Sequence, residues 1–180
     1  METMKRNICL LGRSGAGKTT LANKLGFILG VTGFSISDAL CELAKDNSSY
    51  RNTINECLRT GWSVPIDIVE KSLDRKFSKE KDKRGYIIDG PFGIEQYECL
   101  QKFISLDKNF WLRLGAQEAV FRAVTRDGER TGLSIQTRRE DLYHQLTLPL
   151  IQHLGDKVTE IDASQHHQRV LNDAITEYRK

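Results

Sequence analysis

Gly12-Arg13-Ser14-Gly15-Ala16-Gly17-Lys18-Thr19 fits the pattern Gly-x-x-x-x-Gly-Lys-Thr without a mismatch. The apolar run Ile8-Cys9-Leu10-Leu11 leads into it, and Thr20-Leu21-Ala22-Asn23-Lys24-Leu25 leads out of it with a helical pattern. A buried strand thus feeds a glycine-rich loop that opens a helix. Successive backbone N–H groups of such a loop, with the positive end of the following helix, form a cradle for phosphate oxygens. Lys18 then reaches the β- and γ-phosphates and the Thr19 hydroxyl joins a Mg²⁺ shell. The expectation is a nucleoside triphosphate site for ATP and Mg²⁺, bounded by Gly12, Ser14, Gly15, Ala16, Gly17, Lys18, Thr19 and Thr20.

Further along, Leu21, Leu25, Ile28 and Leu29 continue the first helix until Gly30, and residues 31–36 form a short strand. Ser37 and Asp38 stand where an N-cap is expected, ahead of a helix through Ala39–Ala44. Tyr50–Thr60 and Pro65–Leu73 read as two more helices, and the polar segment 78–84 as a solvated loop. Tyr86-Ile87-Ile88-Asp89 is an apolar run ending in a carboxylate. In a parallel sheet Asp89 lies on the same edge as the phosphate loop and becomes the second metal candidate after Thr19.

A helix follows over 93–105, then a strand over 109–114. The next helix turns Ala116, Ala119, Val120, Ala123 and Val124 inward and Arg122 and Arg126 outward. Residues 127–136, with Gly128, Arg130 and Gly132, suit a lid. A long helix containing Leu142, Leu146, Leu150, Ile151 and Leu154, a strand over 158–161 and a helix over 165–179 complete the chain. Five strands alternating with helices predict a parallel sheet covered on both faces, within one domain of 180 residues.

Composition narrows the setting. Apolar residues at 39% and charged residues at 28% describe an ordinary globular chain. A net charge of +3 without a long Lys/Arg run argues against nucleic acid. Cys9, Cys41, Cys57 and Cys99 are scattered without metal or disulfide spacing, as expected of reduced, mostly buried thiols. The apolar stretch after Met1–Arg6 is too short for a signal, and no segment is long enough to span a membrane, so a cytoplasmic protein is expected.

With these residues in place, the chain resembles the adenylate kinase-type nucleoside monophosphate kinases over nearly its whole length. The resemblance rests on the phosphate loop, Ser35-Ile36-Ser37-Asp38-Ala39-Leu40, Gly61-Trp62-Ser63-Val64-Pro65, Gly85–Gly90, and Arg138-Arg139-Glu140-Asp141-Leu142-Tyr143 followed by Pro149-Leu150-Ile151. It implies a three-layer α/β/α P-loop kinase fold, a helical acceptor-binding insertion over 31–75, a short lid over 126–137 and a monomer. It also implies catalytic roles for Lys18, Arg122 and Arg139, and acceptor contacts from Ser37, Asp38, Arg59, Val64 and Gln96. The chain departs from that family where Cys41 and Gly93 replace two arginines that grip the monophosphate, so that either other cations substitute, with Lys45, Arg51 and Arg59 the candidates, or the acceptor is not an ordinary nucleotide monophosphate.

The expected function is transfer of the ATP γ-phosphate to a small acceptor, in the first place a nucleoside monophosphate. The alternatives are a small-metabolite kinase of the shikimate or gluconate kinase type, and a nucleotide-binding module without transfer.

Overall fold

Ile8, Cys9, Leu10 and Leu11 are all fully buried, although alternate residues of a strand face opposite ways. Such a strand must be covered on both faces, as parallel strands are. The computed structural model describes residues 6–79, 84–127 and 132–180. It contains five strands, β1 Ile8–Gly12, β2 Thr32–Ser35, β3 Tyr86–Asp89, β4 Lys108–Arg113 and β5 Val158–Asp162. All four pairings are parallel, in the order β2-β3-β1-β4-β5. The register sets Leu10 beside Asp89 and Asp89 beside Ser35, so the strand ends carrying the site are level. The chain leaves β1 toward β2 and later passes β1 to reach β4. The carboxyl end of β1 is therefore where connections diverge and a crevice opens.

Helix α1 (Lys18–Leu29) and the last helix, α9 (His167–Arg179), cover one face, joining Ile8, Leu10, Ile87, Phe110, Leu112 and Ile161 in one core. On the other face Cys9 and Leu11 meet Tyr97 of α5 (Ile94–Gln101) and Leu150, Ile151 and Leu154 of α8 (Leu148–Leu154). Helix, sheet, helix make three layers, as the sequence predicts.

Three helices form a third core at the β2 edge: α2 (Ile36–Asp46), α3 (Ser48–Thr60) and α4 (Ile66–Lys79). Leu40, Leu43, Ile54, Val69 and Leu73 pack there against Phe34, Tyr86 and Ile88. After β4 come α6 (Ala116–Asp127) and α7 (Leu133–Leu142), then a π-helical turn at Tyr143–Thr147 that runs into α8.

Several local expectations are corrected. The N-cap of α2 is Ser35, not Ser37 or Asp38. Ser35 remains extended because it pairs with β3, and its hydroxyl accepts the Asp38 N–H at 2.9 Å. Helix α5 stops at Gln101, and α9 starts at His167. On α6 Ala119 and Ala123 are buried, whereas Ala116 and Val124 are exposed. Of the cysteines, Cys9 and Cys99 are buried, Cys57 is half-buried and Cys41 is exposed. The loop expected at 78–84 begins later, since α4 runs to Lys79, and its residues 80–83 lie outside the described residues, as do 128–131 of the expected lid. Residues 133–137 of that lid are the first turns of α7.

Candidate active site

The glycine-rich loop turns because Gly15 and Gly17 take positive φ, at 84° and 90°, which residues with a side chain rarely adopt. Gly15 also lies against α6, where a Cβ would fall 2.2 Å from the carbonyl oxygen of Ala119. The loop then enters α1 at Lys18. Lys18 Nζ donates to the carbonyl of Arg13 at 2.9 Å and stands 3.9 Å from a carboxylate oxygen of Asp89. The Thr19 hydroxyl donates to the other carboxylate oxygen of Asp89. Loop lysine, hydroxyl and carboxylate thus converge at the ends of β1 and β3.

Burial pushes the Lys18 ammonium below its ordinary range. Asp89 opposes that shift, and the guanidiniums of Arg126 and Arg139 add to it. Lys18, Arg126 and Arg139 all line one cavity, an arrangement that suits a polyanion. Arg139 reaches the loop from α7, with Nη1 3.5 Å from the Ser14 hydroxyl oxygen. Arg13 fastens loop to helix: its Nε donates to Glu140 at 2.7 Å, and its guanidinium lies 4.1 Å from the Tyr143 ring centroid.

A cavity of about 540 Å³ opens beside these groups. Its lining includes Gly12, Ser14, Gly15, Gly17, Lys18, Thr19, Thr20, Asp89, Arg126 and Arg139, together with Ser35, Ser37, Asp38, Trp62, Phe92 and Thr147. A second cavity, about 470 Å³, shares Gly15, Gly17, Thr20 and Arg126 with it and extends to Gln165, His166 and His167 beyond β5. Together they form a trough across the phosphate loop.

The structure gathers many of the expected residues on this trough, but not all. Ala16 is buried and borders the second cavity. Arg122 is not at the cradle: its Nη1 donates to the Ala163 carbonyl at 2.9 Å, it pairs with Glu118, and it borders the second cavity. Arg126, one turn on, is the arginine of α6 that reaches the main cavity.

Three expected acceptor contacts also lie elsewhere. Val64 is buried in the α2–α4 core. Gln96 is buried with its side chain engaged, its Oε1 accepting the Phe92 N–H at 3.0 Å and its Nε2 donating to the Ser63 hydroxyl at 3.3 Å. Arg59 is exposed and off the cavity wall. The substitute cations fare no better, since Arg51 donates to the carbonyls of Ala44 and Lys45 at the end of α2, and Lys45 is absent from the wall. Trp62, Phe92 and Thr147 were not legible as site residues; a tryptophan in the loop Gly61–Pro65, with no helical face to join, was the available signal.

A phosphate loop on a central parallel strand, a carboxylate on the adjacent strand and arginines from the helices after β4 define a P-loop kinase. Comparison with known proteins gives the narrower class. The family model described as an AAA domain matches residues 11–131, two thirds of the chain, and the protein belongs to that family. An adenylate kinase of Corynebacterium aurimucosum is 29% identical over 161 residues, covering 86% of this chain and 88% of the relative. One from Mycolicibacterium vanbaalenii is 28% identical over 174 residues, covering 93% and 96%. One from Thermotoga petrophila is 33% identical over 103 residues, covering 56% and 47%. The chain is an adenylate kinase-like P-loop kinase, a nucleotide kinase by its likeness to these proteins.

Proposed function

We propose that the protein transfers the γ-phosphoryl group of Mg·ATP to a small acceptor held in the main cavity, which Ser37, Asp38 and Trp62 help to line. The observation that carries this reading is the convergence of Lys18, Thr19 and Asp89 at one strand edge, with two further cations, Arg126 and Arg139, lining the same cavity. Thr19 and Asp89 offer the hard oxygen donors that Mg²⁺ takes. Mg²⁺ is usually held by one or two such groups together with substrate phosphates. Mg²⁺ bound there would neutralise charge on the β- and γ-phosphates.

The chain's own residues then act by positioning and charge. Loop N–H groups and Lys18 orient the triphosphate, the second cavity accommodates its nucleoside end, and Arg126 and Arg139 stabilise charge spreading over the transferred group. The name of the relatives, adenylate kinase, makes a nucleoside monophosphate the first acceptor class to consider.

The test is ADP formation from Mg·ATP with and without acceptors, alongside ATP binding. Acceptor-dependent ADP formation supports transfer. Tight ATP binding without turnover on any acceptor would leave a nucleotide-binding module.

A further inference from the structure

We infer that Glu140 and Arg13 are positioning residues for phosphoryl transfer, and that their ion pair sets where Arg139 meets the transferred group. The inference rests on the phosphotransfer reading above and adds the pair through which one of its arginines is aimed.

Arg139 and Glu140 are consecutive on α7, and they meet consecutive residues of the phosphate loop. Arg139 Nη1 lies 3.5 Å from the Ser14 hydroxyl oxygen, and Glu140 accepts from Arg13 Nε at 2.7 Å. Neighbouring residues of a helix share one hydrogen-bonded backbone and differ in height by only about 1.5 Å. A helix pinned to the loop at Glu140 is therefore pinned at Arg139. The stem of Arg139 runs beside Gly61, where a Cβ would lie 3.5 Å from its Cγ. Arg139 thus spans from Gly61 to the phosphate loop, and any shift of α7 moves its guanidinium along the cavity.

Arg13 makes three contacts at once. Its Nε meets Glu140, its Nη1 donates to the Leu114 carbonyl at 3.1 Å just beyond β4, and its guanidinium lies 4.1 Å from the Tyr143 ring centroid. Tyr143 is itself buried against Cys9 and Leu11 of β1. Both partners are mostly out of water, with side chains 15% and 20% exposed, so the pair is screened less than one on the surface. A planar guanidinium can serve three such partners together, whereas the point charge of a lysine cannot.

The preceding residue, Arg138, ties α7 to the end of α3 through the Thr60 carbonyl at 2.6 Å. The Arg13 pair is what ties it to the phosphate loop through a charge. Neither Arg13 nor Glu140 is among the residues lining the main cavity. The pair therefore acts on the reaction through Arg139 rather than by its own side-chain contact.

The experiment follows single turnovers of γ-labelled Mg·ATP by the full chain, with an equal mixture of AMP, CMP, GMP and UMP as acceptor and the Kd for ATP measured separately. Glu140→Ala and Arg13→Lys should each slow label transfer about tenfold to 100-fold, on the scale of a catalytic group misplaced by about 1 Å. The Kd for ATP should stay within about threefold in Glu140→Ala. In an Arg139→Ala background either substitution should slow transfer by less than about twofold, because the group it aims is gone. In an Arg126→Ala background the losses should persist in full, since Arg126 stands on α6. Arg13→Lys keeps length and charge, so the test stands on it even if Glu140→Ala does not fold. Losses of equal size in the Arg126→Ala and Arg139→Ala backgrounds, or an unchanged rate in either variant, overturn the inference and leave transfer standing. Absence of label transfer by the parent overturns both.

Discussion

The Thr19 hydroxyl donates a hydrogen bond to the carboxylate of Asp89, 70 residues further along the chain. The contact exists because β1 and β3 are parallel neighbours, with Leu10 level with Asp89, so the loop leaving one strand meets the residue ending the other. If the pair holds the metal, Asp89→Asn removes charge while keeping shape and hydrogen-bonding capacity. The Mg²⁺ concentration at half-maximal activity should rise about tenfold or more, on the scale of altered metal-site groups. An unchanged Mg²⁺ titration would make Asp89 a fastener of the loop only.

Arg126 and Arg139 stand on the main cavity, and Arg122 does not. Arg126→Ala and Arg139→Ala should each lower kcat by about 10³, as loss of a phosphate-gripping arginine does in related chemistry. Arg122→Ala should change the ATP KM more than kcat, because it borders the second cavity. Steady-state kinetics of the three variants checks the order, and a large kcat loss confined to Arg122→Ala would reverse it.

Gly15 and Gly17 separate backbone strain from steric contact. A Cβ on Gly15 meets the Ala119 carbonyl oxygen at 2.2 Å, whereas one on Gly17 meets nothing within 4 Å. Both substitutions carry the cost of positive φ, about 1 kcal/mol or more, and Gly15→Ala adds an overpacking cost of about 1–3 kcal/mol. Thermal melting should therefore show Gly15→Ala as the less stable variant. Equal melting temperatures would mean that α6 yields freely.

Lys18 links the site to stability. Its ammonium is held below the ordinary lysine value of 10.5, chiefly by burial. The folded protein thus gives up this proton at a lower pH than the unfolded chain does. Stability rises as pH climbs through the interval between the folded value and 10.5, and the charged lysine costs stability below it. Lys18→Met should melt higher than the parent at pH 7, with that advantage shrinking toward pH 10. A difference independent of pH would show that the lysine is not penalised in the fold.

The sheet was legible because its inner strands carry short apolar runs, Ile8–Leu11, Tyr86–Ile88 and Phe110–Leu112, bounded by glycine or polar residues, and the phosphate loop stands between a strand and a helix as its motif requires. Asp89 followed from the parallel sheet alone. The cap of α2 was not legible: Ser35, Ser37 and Asp38 are all good capping residues, and pairing with β3 decides among them. Arg122 and Arg126 are the same residue type one turn apart. About 6 Å of helical rise separates Arg122, which reaches the Ala163 carbonyl, from Arg126, and the choice is set by Ala119 and Ala123 packing inward, with Ala119 against Gly15. Val64 and Gln96 were placed by motif position, which carries no information about burial or about partners such as Phe92 and Ser63. Trp62 and Phe92 join the site through the contact of distant segments, which no local pattern encodes.

The most direct measurement of the central claim is single-turnover transfer of the labelled γ-phosphoryl group of Mg·ATP to an acceptor, compared between the parent protein and Lys18→Met. The account predicts acceptor-dependent label transfer by the parent and a loss of about 100-fold or more in the variant, with its cooperative melting retained. No transfer by the parent to any acceptor, or a variant as active as the parent, would contradict it.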